Sequence, residues 1–153
     1  MILVLTERRE MKILWISRHV PQPPQVAALQ NKFGDVTILI PTDDPAAPVW
    51  TEWDGVQQIV GFTLPNPREV PDTIRVLLNE TGADEIVGVM PVPHLAALTR
   101  VGIQPLRAVM ERVPTGRTLD NGEVEYRFDF DHFERIVKVE VVTERLSKGE
   151  ENV

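Results

Sequence analysis

A short apolar run that ends abruptly in polar residues lies near the start of the chain. Residues 12–16, KILWI, contain β-branched and aromatic side chains, which is typical of a strand buried within a sheet. The run stops at residues 17–19, SRH, and a helical pattern over residues 24–33 follows. A second buried strand is predicted at residues 36–40. This strand–helix–strand order predicts a right-handed crossover between two parallel strands.

Strand and helix patterns continue to alternate up to about residue 113. Further strands are predicted at residues 56–64, 85–90 and 105–113, and further helices at residues 68–80 and 94–100. Residues 42–51 are rich in aspartate and proline and are predicted to form a loop. The pattern therefore predicts an α/β fold of the three-layer, Rossmann-like kind, with a mostly parallel sheet and helices on both faces.

Beyond this point only β patterns follow. Asp120-Asn121-Gly122 is a strong hairpin signal, and residues 124–130 alternate between apolar and charged side chains, as in a half-exposed antiparallel strand. Residues 136–142, IVKVEVV, predict one more β segment. We therefore expect a C-terminal antiparallel β extension that begins at about residue 114.

Composition limits the size and the partners of the protein. A chain of 153 residues suffices for one domain, predicted over residues 11–146, with an N-terminal extension or short strand over residues 1–10 and a frayed tail over residues 147–153. No apolar run reaches the ~18 residues of a membrane helix, so we expect no membrane partner. The absence of cysteine excludes disulfides and cysteine–zinc sites, and it fits a cytoplasmic location. The formal charge of −7 argues against binding of duplex nucleic acid but allows a small anionic ligand at a local positive pocket.

Several signatures of common enzyme classes are missing from the sequence. There is no Walker loop, no GxGxxG after the first strand, no GxSxG elbow and no HExxH. The acidic residues Asp43, Asp44, Glu52 and Asp54 match no metal-binding loop, so we interpret them as solvated charge and expect no metal and no cofactor. The nearby pair of tryptophans, residues 50 and 53, can stack on a nucleobase, but packing is the favoured interpretation.

Polar residues follow two of the predicted buried strands. Ser17, Arg18 and His19 follow the first strand, and Pro91 and His94 follow the strand of residues 85–90. Ligands of open parallel sheets bind beyond the carboxyl ends of the strands, at the point where the strand order reverses. If these two strands are neighbours, their polar groups converge on one anion site, to which backbone amides at the start of the helix that begins at His94 would add donors.

The chemistry of these side chains suggests distinct roles. Arg18 would clamp a phosphate through its planar fork, Ser17 would donate a hydrogen bond, and His19 or His94 would act as a general acid or base. The predicted ligand-binding residues are Ser17, Arg18, Met90, Pro91, Val92 and His94, and the catalytic candidates are Arg18, His19 and His94.

Each of these residues also has a purely structural interpretation. His19 can cap a loop, Arg18 can pair with an acidic neighbour, and Ser17 can simply terminate a strand. His94 can cap its helix. His132 lies at a predicted turn between strands and is interpreted as structural.

Two blocks of the sequence resemble a small CRISPR-associated family, the stand-alone ring nucleases. Residues 16–19, ISRH, with the proline-containing loop after them, look like the family's "SRHP" signature. Residues 86–98, IVGVMPVPHLAAL, are similar to its "IGTLPVNLAA" segment, and Gly102 follows in the expected order. The chain departs from the family pattern in its long middle section, residues 41–82, in its C-terminal hairpin and in Pro93-His94, where the family has asparagine.

The resemblance implies a homodimer, related in fold to sensor domains for cyclic oligoadenylates. Such a protein binds cyclic tetra-adenylate across its two-fold axis and cleaves it without metal, which switches off CRISPR type III signalling in antiviral defence. A ribose 2′-hydroxyl attacks the adjacent phosphate and leaves a 2′,3′-cyclic phosphate and a 5′-hydroxyl. By this resemblance Ser17 and Arg18 would hold the phosphate, His19 would assist, and His94 would be a candidate acid for the leaving oxygen.

Other functions remain open at this point. The protein can be a non-catalytic sensor or sponge for the same messenger, or a nucleotide-handling enzyme that uses the same cleft. It can also be a protein–protein interaction module on an α/β scaffold, with the β segments of residues 120–142 pairing edge to edge with a partner. An Arg18→Ala variant distinguishes these hypotheses. A ligand site predicts lost binding with little lost stability, whereas a scaffold predicts no functional change.

Overall fold

The protein is a mixed α/β fold. The computed structural model describes residues 10–42, 49–55 and 62–147, and within these residues six strands form one sheet, accompanied by three helices. In chain order the elements are β1 (Met11–Ile16), α1 (Pro23–Phe33), β2 (Val36–Thr42), β3 (Val49–Glu52), α2 (Val70–Thr81), β4 (Glu85–Gly88), α3 (Val92–Arg100), β5 (Leu106–Thr118) and β6 (Val124–Arg135).

The sheet has a parallel centre and antiparallel edges. Its strand order is β3-β2-β1-β4-β5-β6. β1 pairs in parallel with β2 and β4, and β4 pairs in parallel with β5, whereas β3 and β6 are antiparallel to their neighbours. The predicted parallel pairing of the first two strands is confirmed. After β2 and β3 the chain returns to the other side of β1, so the strand order reverses between β1 and β4.

The core consists of two groups of buried side chains, because successive residues of a strand point to opposite faces of the sheet. Core cluster 1 joins strand residues to α2 and α3 and contains Leu14, Ile16, Leu39, Val70, Ile74, Leu77, Ile86, Met90, Leu95 and Leu98. Core cluster 2 joins strand residues to α1 and contains Ile13, Trp15, Leu29, Ile38, Ile40, Val87 and Leu106. β1 contributes to both clusters, which explains why its sequence is apolar without alternation.

The predicted helices are confirmed, with small shifts at their ends. α1 begins with two prolines, whose fixed φ suits a first helical turn. α2 buries one stripe through Val70, Ile74 and Leu77, and it ends at Gly82, whose φ of 66° is the left-handed conformation of a C-cap. α3 begins at Val92, ahead of the predicted start at residue 94.

The middle of the chain differs from the prediction. Residues 49–51 belong to β3 and not to a loop, because Val49, Trp50 and Thr51 pair antiparallel with β2. Phe62–Leu64, the described end of the strand predicted at residues 56–64, lie in no strand. The rest of that prediction, residues 56–61, lies outside the described residues, as do residues 43–48 of the loop, residues 1–9 and residues 148–153.

The C-terminal hairpin is confirmed and is longer than predicted. β5 continues past residue 113 to Thr118 and pairs with β6 along most of its length, and a turn at residues 119–123 joins the two strands. β4 pairs with β5 at Val87 and Leu106, and beyond Leu106 the only described strand that pairs with β5 is β6. The prediction of a further β segment at residues 136–142 is wrong, because these residues pair with no strand among those described.

Candidate functional site

A cleft of about 650 Å³ opens at the carboxyl ends of β1 and β4. The two ends lie side by side, since Ile16 pairs with Gly88 and the Val89 amide donates to the Ile16 carbonyl at 2.9 Å. The strand order reverses between these two strands, which is the position where open α/β sheets bind ligands. The volume is in the range of small-molecule sites. Both predicted strand ends therefore face one cleft.

Three segments of the chain line this cleft. The lining residues are Ile16, Ser17, Arg18 and His19 after β1, Val89, Met90, Pro91 and His94 after β4, and Phe62, Thr63 and Leu64 before α2. The sequence predicts the first two segments but not the third, because the pattern of residues 62–64 predicts the end of a strand. The only available signal was the Pro65-Asn66-Pro67 turn that follows them. Val92, a predicted ligand-binding residue, does not line the cleft and is 56% exposed.

A buried tryptophan holds the turn after β1. Trp15 is 2% exposed, and its indole Nε1 donates to the His19 carbonyl oxygen at 2.9 Å. The His19 amide in turn donates to Ser17 Oγ at 3.1 Å. The core thus fixes the backbone of residues 17–19. The Ser17 hydroxyl accepts a hydrogen bond there, while its own proton is donated to no described residue.

Arg18 supplies the positive charge of the cleft. Its side chain is exposed, and its guanidinium makes no hydrogen bond or ion pair with any described residue. Pairing with an acidic neighbour, the structural alternative for this residue, is therefore not observed in the described part of the chain. A guanidinium fork without a partner is suited to bidentate binding of a phosphate or carboxylate.

The start of α3 offers few backbone donors to the cleft. Pro91 and Pro93 have no N–H, and the amides of His94 and Leu95 donate to the Pro91 carbonyl at 3.0 and 3.1 Å. Within the described chain, Val92 is the one residue of the first turn whose amide is left without a backbone acceptor. The expectation that several helix amides would bind an anion is therefore wrong, and Arg18 is the main anion-binding group.

His94 connects α3 to the third wall of the cleft. Its Nε2 lies 2.9 Å from the Pro65 carbonyl oxygen, and because a carbonyl only accepts, we assign the proton to Nε2. Its Nδ1 is buried and has no partner among the described residues. His94 does not cap the helix, since Pro91 occupies the N-cap position. The ring therefore fixes the position of residues 62–65.

The remaining candidates lie away from the cleft. His132 lies within β6 and not at a turn, and its Nδ1 is 2.5 Å from Asp131 Oδ2 on the surface. Trp53 packs against core cluster 2 and lines a separate groove of about 330 Å³ beside α1, while Trp50 lies on β3 and is 39% exposed. Over residues 10–42, 49–55 and 62–147, no group of three or more histidine and acidic side chains is placed to hold a metal ion.

Comparison of the chain with protein-family models, with curated proteins and with solved structures found no match. None of the helices in the described ranges is long and apolar enough to cross a bilayer. The resemblance to the ring nucleases thus depends on its two sequence blocks alone.

Proposed function

We propose that this protein binds a cyclic oligoadenylate, in the first place cyclic tetra-adenylate, and cleaves it without metal. In this proposal it acts in the cytoplasm as a homodimer and switches off CRISPR type III signalling. The supporting observation is that both blocks of the resemblance line one cleft, in which the Arg18 guanidinium has no partner among the described residues. A phosphodiester supplies the anion that this guanidinium can bind.

We propose a three-layer, Rossmann-like arrangement in which α1 covers one face of the sheet and α2 and α3 cover the other. The two core clusters support it, since one contains Leu29 of α1 and the other contains residues of α2 and α3. A cyclic, symmetric ligand is best matched by two identical clefts related by a two-fold axis, which is the physical reason for a homodimer.

The proposed reaction depends on positioning and on charge stabilisation. The ribose 2′-oxygen forms a bond to phosphorus as the bond from phosphorus to the 5′-oxygen breaks. Arg18 binds the non-bridging oxygens, and Ser17 donates its free hydroxyl proton to the same phosphate. The 2′-hydroxyl proton passes to solvent, and the 5′-oxygen takes a proton from a general acid.

We assign the general acid to His19 and a positioning role to His94. His19 lines the cleft, is exposed, and its ring makes no hydrogen bond with any described residue. His94 has its Nε2 bound to the Pro65 carbonyl and its Nδ1 buried, so neither nitrogen is placed to reach solvent. His94 would therefore act by holding residues 62–65 against the ligand.

Binding and cleavage are tested separately. Cyclic tetra-adenylate is titrated into the wild type, Arg18→Ala and the control Arg75→Ala, an exposed arginine on α2. Loss of a charged hydrogen bond costs about 1.5–3 kcal/mol, so Arg18→Ala should weaken binding roughly 10- to 100-fold, while Arg75→Ala should not. Absence of binding by the wild type would exclude the proposal.

Cleavage is followed by separating linear from cyclic products in the presence of EDTA. His19→Ala should bind the ring but lose about 10²–10⁴-fold in rate, which is the usual contribution of general acid–base catalysis. If the wild type binds and no linear product forms, the protein is a sensor or sponge for the messenger. The position of His94 favours that second candidate function, because its Nε2 is bound to the Pro65 carbonyl and its Nδ1 is buried, which leaves His19 as the one exposed histidine among the described residues of the cleft.

A further inference from the structure

Residues 136–142, which we call the C-terminal segment, leave the sheet directly after β6. The Ile136 amide donates to the Pro105 carbonyl at 2.9 Å, and Gln104 Nε2 donates to the Val137 carbonyl at 3.2 Å. From residue 138 to residue 142 the backbone makes no backbone hydrogen bond with any described part of the chain. The first two residues of the segment thus make hydrogen bonds like those of a paired strand, and the rest has no backbone partner among the described residues.

Its sequence is nevertheless that of a strand. Val137, Val141 and Val142 are 60%, 72% and 89% exposed, while Val139 packs against core cluster 1 and holds the middle of the segment to the domain. Exposed β-branched residues on unpaired backbone form a template for pairing with another strand. The segment is therefore available to pair with a strand that is not among the described residues.

The order of side chains identifies that partner. The pattern of side chains is symmetric about Val139. Charged residues of opposite sign, Lys138 and Glu140, lie next to it, and all the residues farther out in the segment are β-branched: valines 137 and 141, then Ile136 and Val142. We propose that the C-terminal segment pairs antiparallel with the same segment of a second copy of this chain, with Val139 opposite Val139. This is an isologous contact, in which one surface meets itself.

In this register the side chains on each face of the two paired strands make favourable contacts. On one face Val137 of each copy lies opposite Val141 of the other, on either side of the central Val139 pair, which gives a continuous row of valines. On the other face Lys138 of each copy lies opposite Glu140 of the other. Within one chain Lys138 Nζ and Glu140 Oε1 are 3.1 Å apart, but their side chains are 69% and 66% exposed. This ion pair therefore contributes little to stability, and each side chain can pair with the second copy instead.

The alternative arrangement of two copies is electrostatically unfavourable. Parallel pairing in register would place Lys138 opposite Lys138 and Glu140 opposite Glu140, and like charges directly opposite one another destabilise a sheet. The inference goes beyond the proposed homodimer, because it places the contact between the two copies at residues that do not line the cleft, and unchanged association of the charge variants would overturn it without touching the proposed ligand. Arg18→Ala should leave the association of two copies unchanged.

The test uses charge reversal in the full chain. Sedimentation equilibrium should show a dimer for the wild type, and Lys138→Glu and Glu140→Lys should each raise its dissociation constant about tenfold or more, because both pairs become like-charged. The double variant Lys138→Glu with Glu140→Lys should restore the wild-type constant. Lys32→Glu and Glu80→Lys make the same charge changes at exposed sites on α1 and α2 and should have no effect.

A mixture of the two single variants gives the decisive result. In a mixed dimer every charge pair of the antiparallel register is opposite in sign, so native mass spectrometry should show the heterodimer in preference to either homodimer. Circular dichroism of each variant confirms that the chain is folded. A monomeric wild type, unchanged association of the single variants, or a mixture that stays unassociated would each overturn the inference.

Discussion

β1 and β6 are held in place by different means. β1 has a partner strand on each side, and its residues 13–16 are at most 3% exposed, with alternate side chains in the two core clusters. Among the described strands β6 has one partner, β5, and Phe128 within β6 is 66% exposed. A strand that is packed on every side can present polar groups at its end in a fixed position. A strand at an edge instead offers backbone and side chains to solvent or to a partner.

Part of the hairpin is held by contacts within it. Phe130 and Phe133, both on β6, have ring centroids 4.9 Å apart, and across the two strands the Arg112 guanidinium lies 3.6 Å from the centre of the Tyr126 ring. Each contact of this kind contributes about 1 kcal/mol or less at an exposed position. The hairpin should therefore tolerate single changes that the centre of the sheet does not.

The largest predicted effect is at Leu14, which is fully buried in β1. Leu14→Ala removes apolar volume at a site that strands and helices enclose, and such changes cost about 2–5 kcal/mol of unfolding free energy. Phe128→Ser in the hairpin should change it by no more than about 0.5 kcal/mol. Urea unfolding at neutral pH measures both. Similar losses in the two variants would show that the hairpin is packed against something that a single copy of the chain does not contain.

A smaller effect is expected where the hairpin joins the central sheet. Arg135 of β6 donates to both carboxylate oxygens of Glu85 on β4, at 3.0 and 2.5 Å, and to the Gln104 carbonyl at 2.9 Å. The hydrogen bond to Glu85 raises the pKa of Arg135, so the guanidinium keeps its charge. Because the Glu85 side chain is only 16% exposed, Arg135→Ala should leave it poorly solvated and cost about 1–2 kcal/mol.

A second ion pair of the hairpin is the matched control for this prediction. Arg107 pairs with Glu134 across β5 and β6, and both side chains are well exposed, at 48% and 38%. Arg107→Ala should therefore cost no more than about 0.5 kcal/mol in the same urea experiment. An equal cost for the two variants would mean that burial of Glu85 adds nothing to its pair.

The difference between the two regions also explains what the sequence could predict. Apolar runs without alternation, such as residues 12–16 and 85–88, mark strands buried on both faces, and the polar groups that follow them could be placed at a sheet edge. That β1 and β4 are neighbours is an assumption of that prediction and not a result of it, because local sequence patterns do not determine the order of strands in a sheet. The contact of His94 with Pro65, which are 29 residues apart, has no local signal at all.

The errors have the same physical origin. A strand forms only where its backbone pairs with another strand, so residues 136–142 can carry a strand pattern and still pair with none of the described strands. Residues 49–52 form a strand despite their position beside an aspartate- and proline-rich stretch, because β2 offers them a free edge. The prediction that backbone amides at the start of α3 bind an anion is wrong for a local reason, since two residues there are prolines, which have no N–H.

A change at Gly88, at the end of β4, is expected to affect stability little but to alter the cleft. A Cβ at this position would lie 2.3 Å from Met90 Cε, which is the far end of a flexible side chain that lines the cleft. Gly88→Ala should therefore cost less than about 1 kcal/mol, since the thioether can move aside. The moved side chain would change the shape of the cleft, so binding of cyclic tetra-adenylate should change even though the fold does not.

Two controls test whether Gly88→Ala acts through Met90: the same change at another glycine, and the same change in a Met90→Ala variant. Gly122, in the turn between β5 and β6, has a φ of 86°, so Gly122→Ala should cost about 1 kcal/mol of stability through backbone strain and leave binding unchanged. In a Met90→Ala background the clash at residue 88 is absent, and Gly88→Ala should then have no measurable effect on binding. Equal effects with and without Met90 would show that the alanine acts on the backbone of β4 and not on the wall of the cleft.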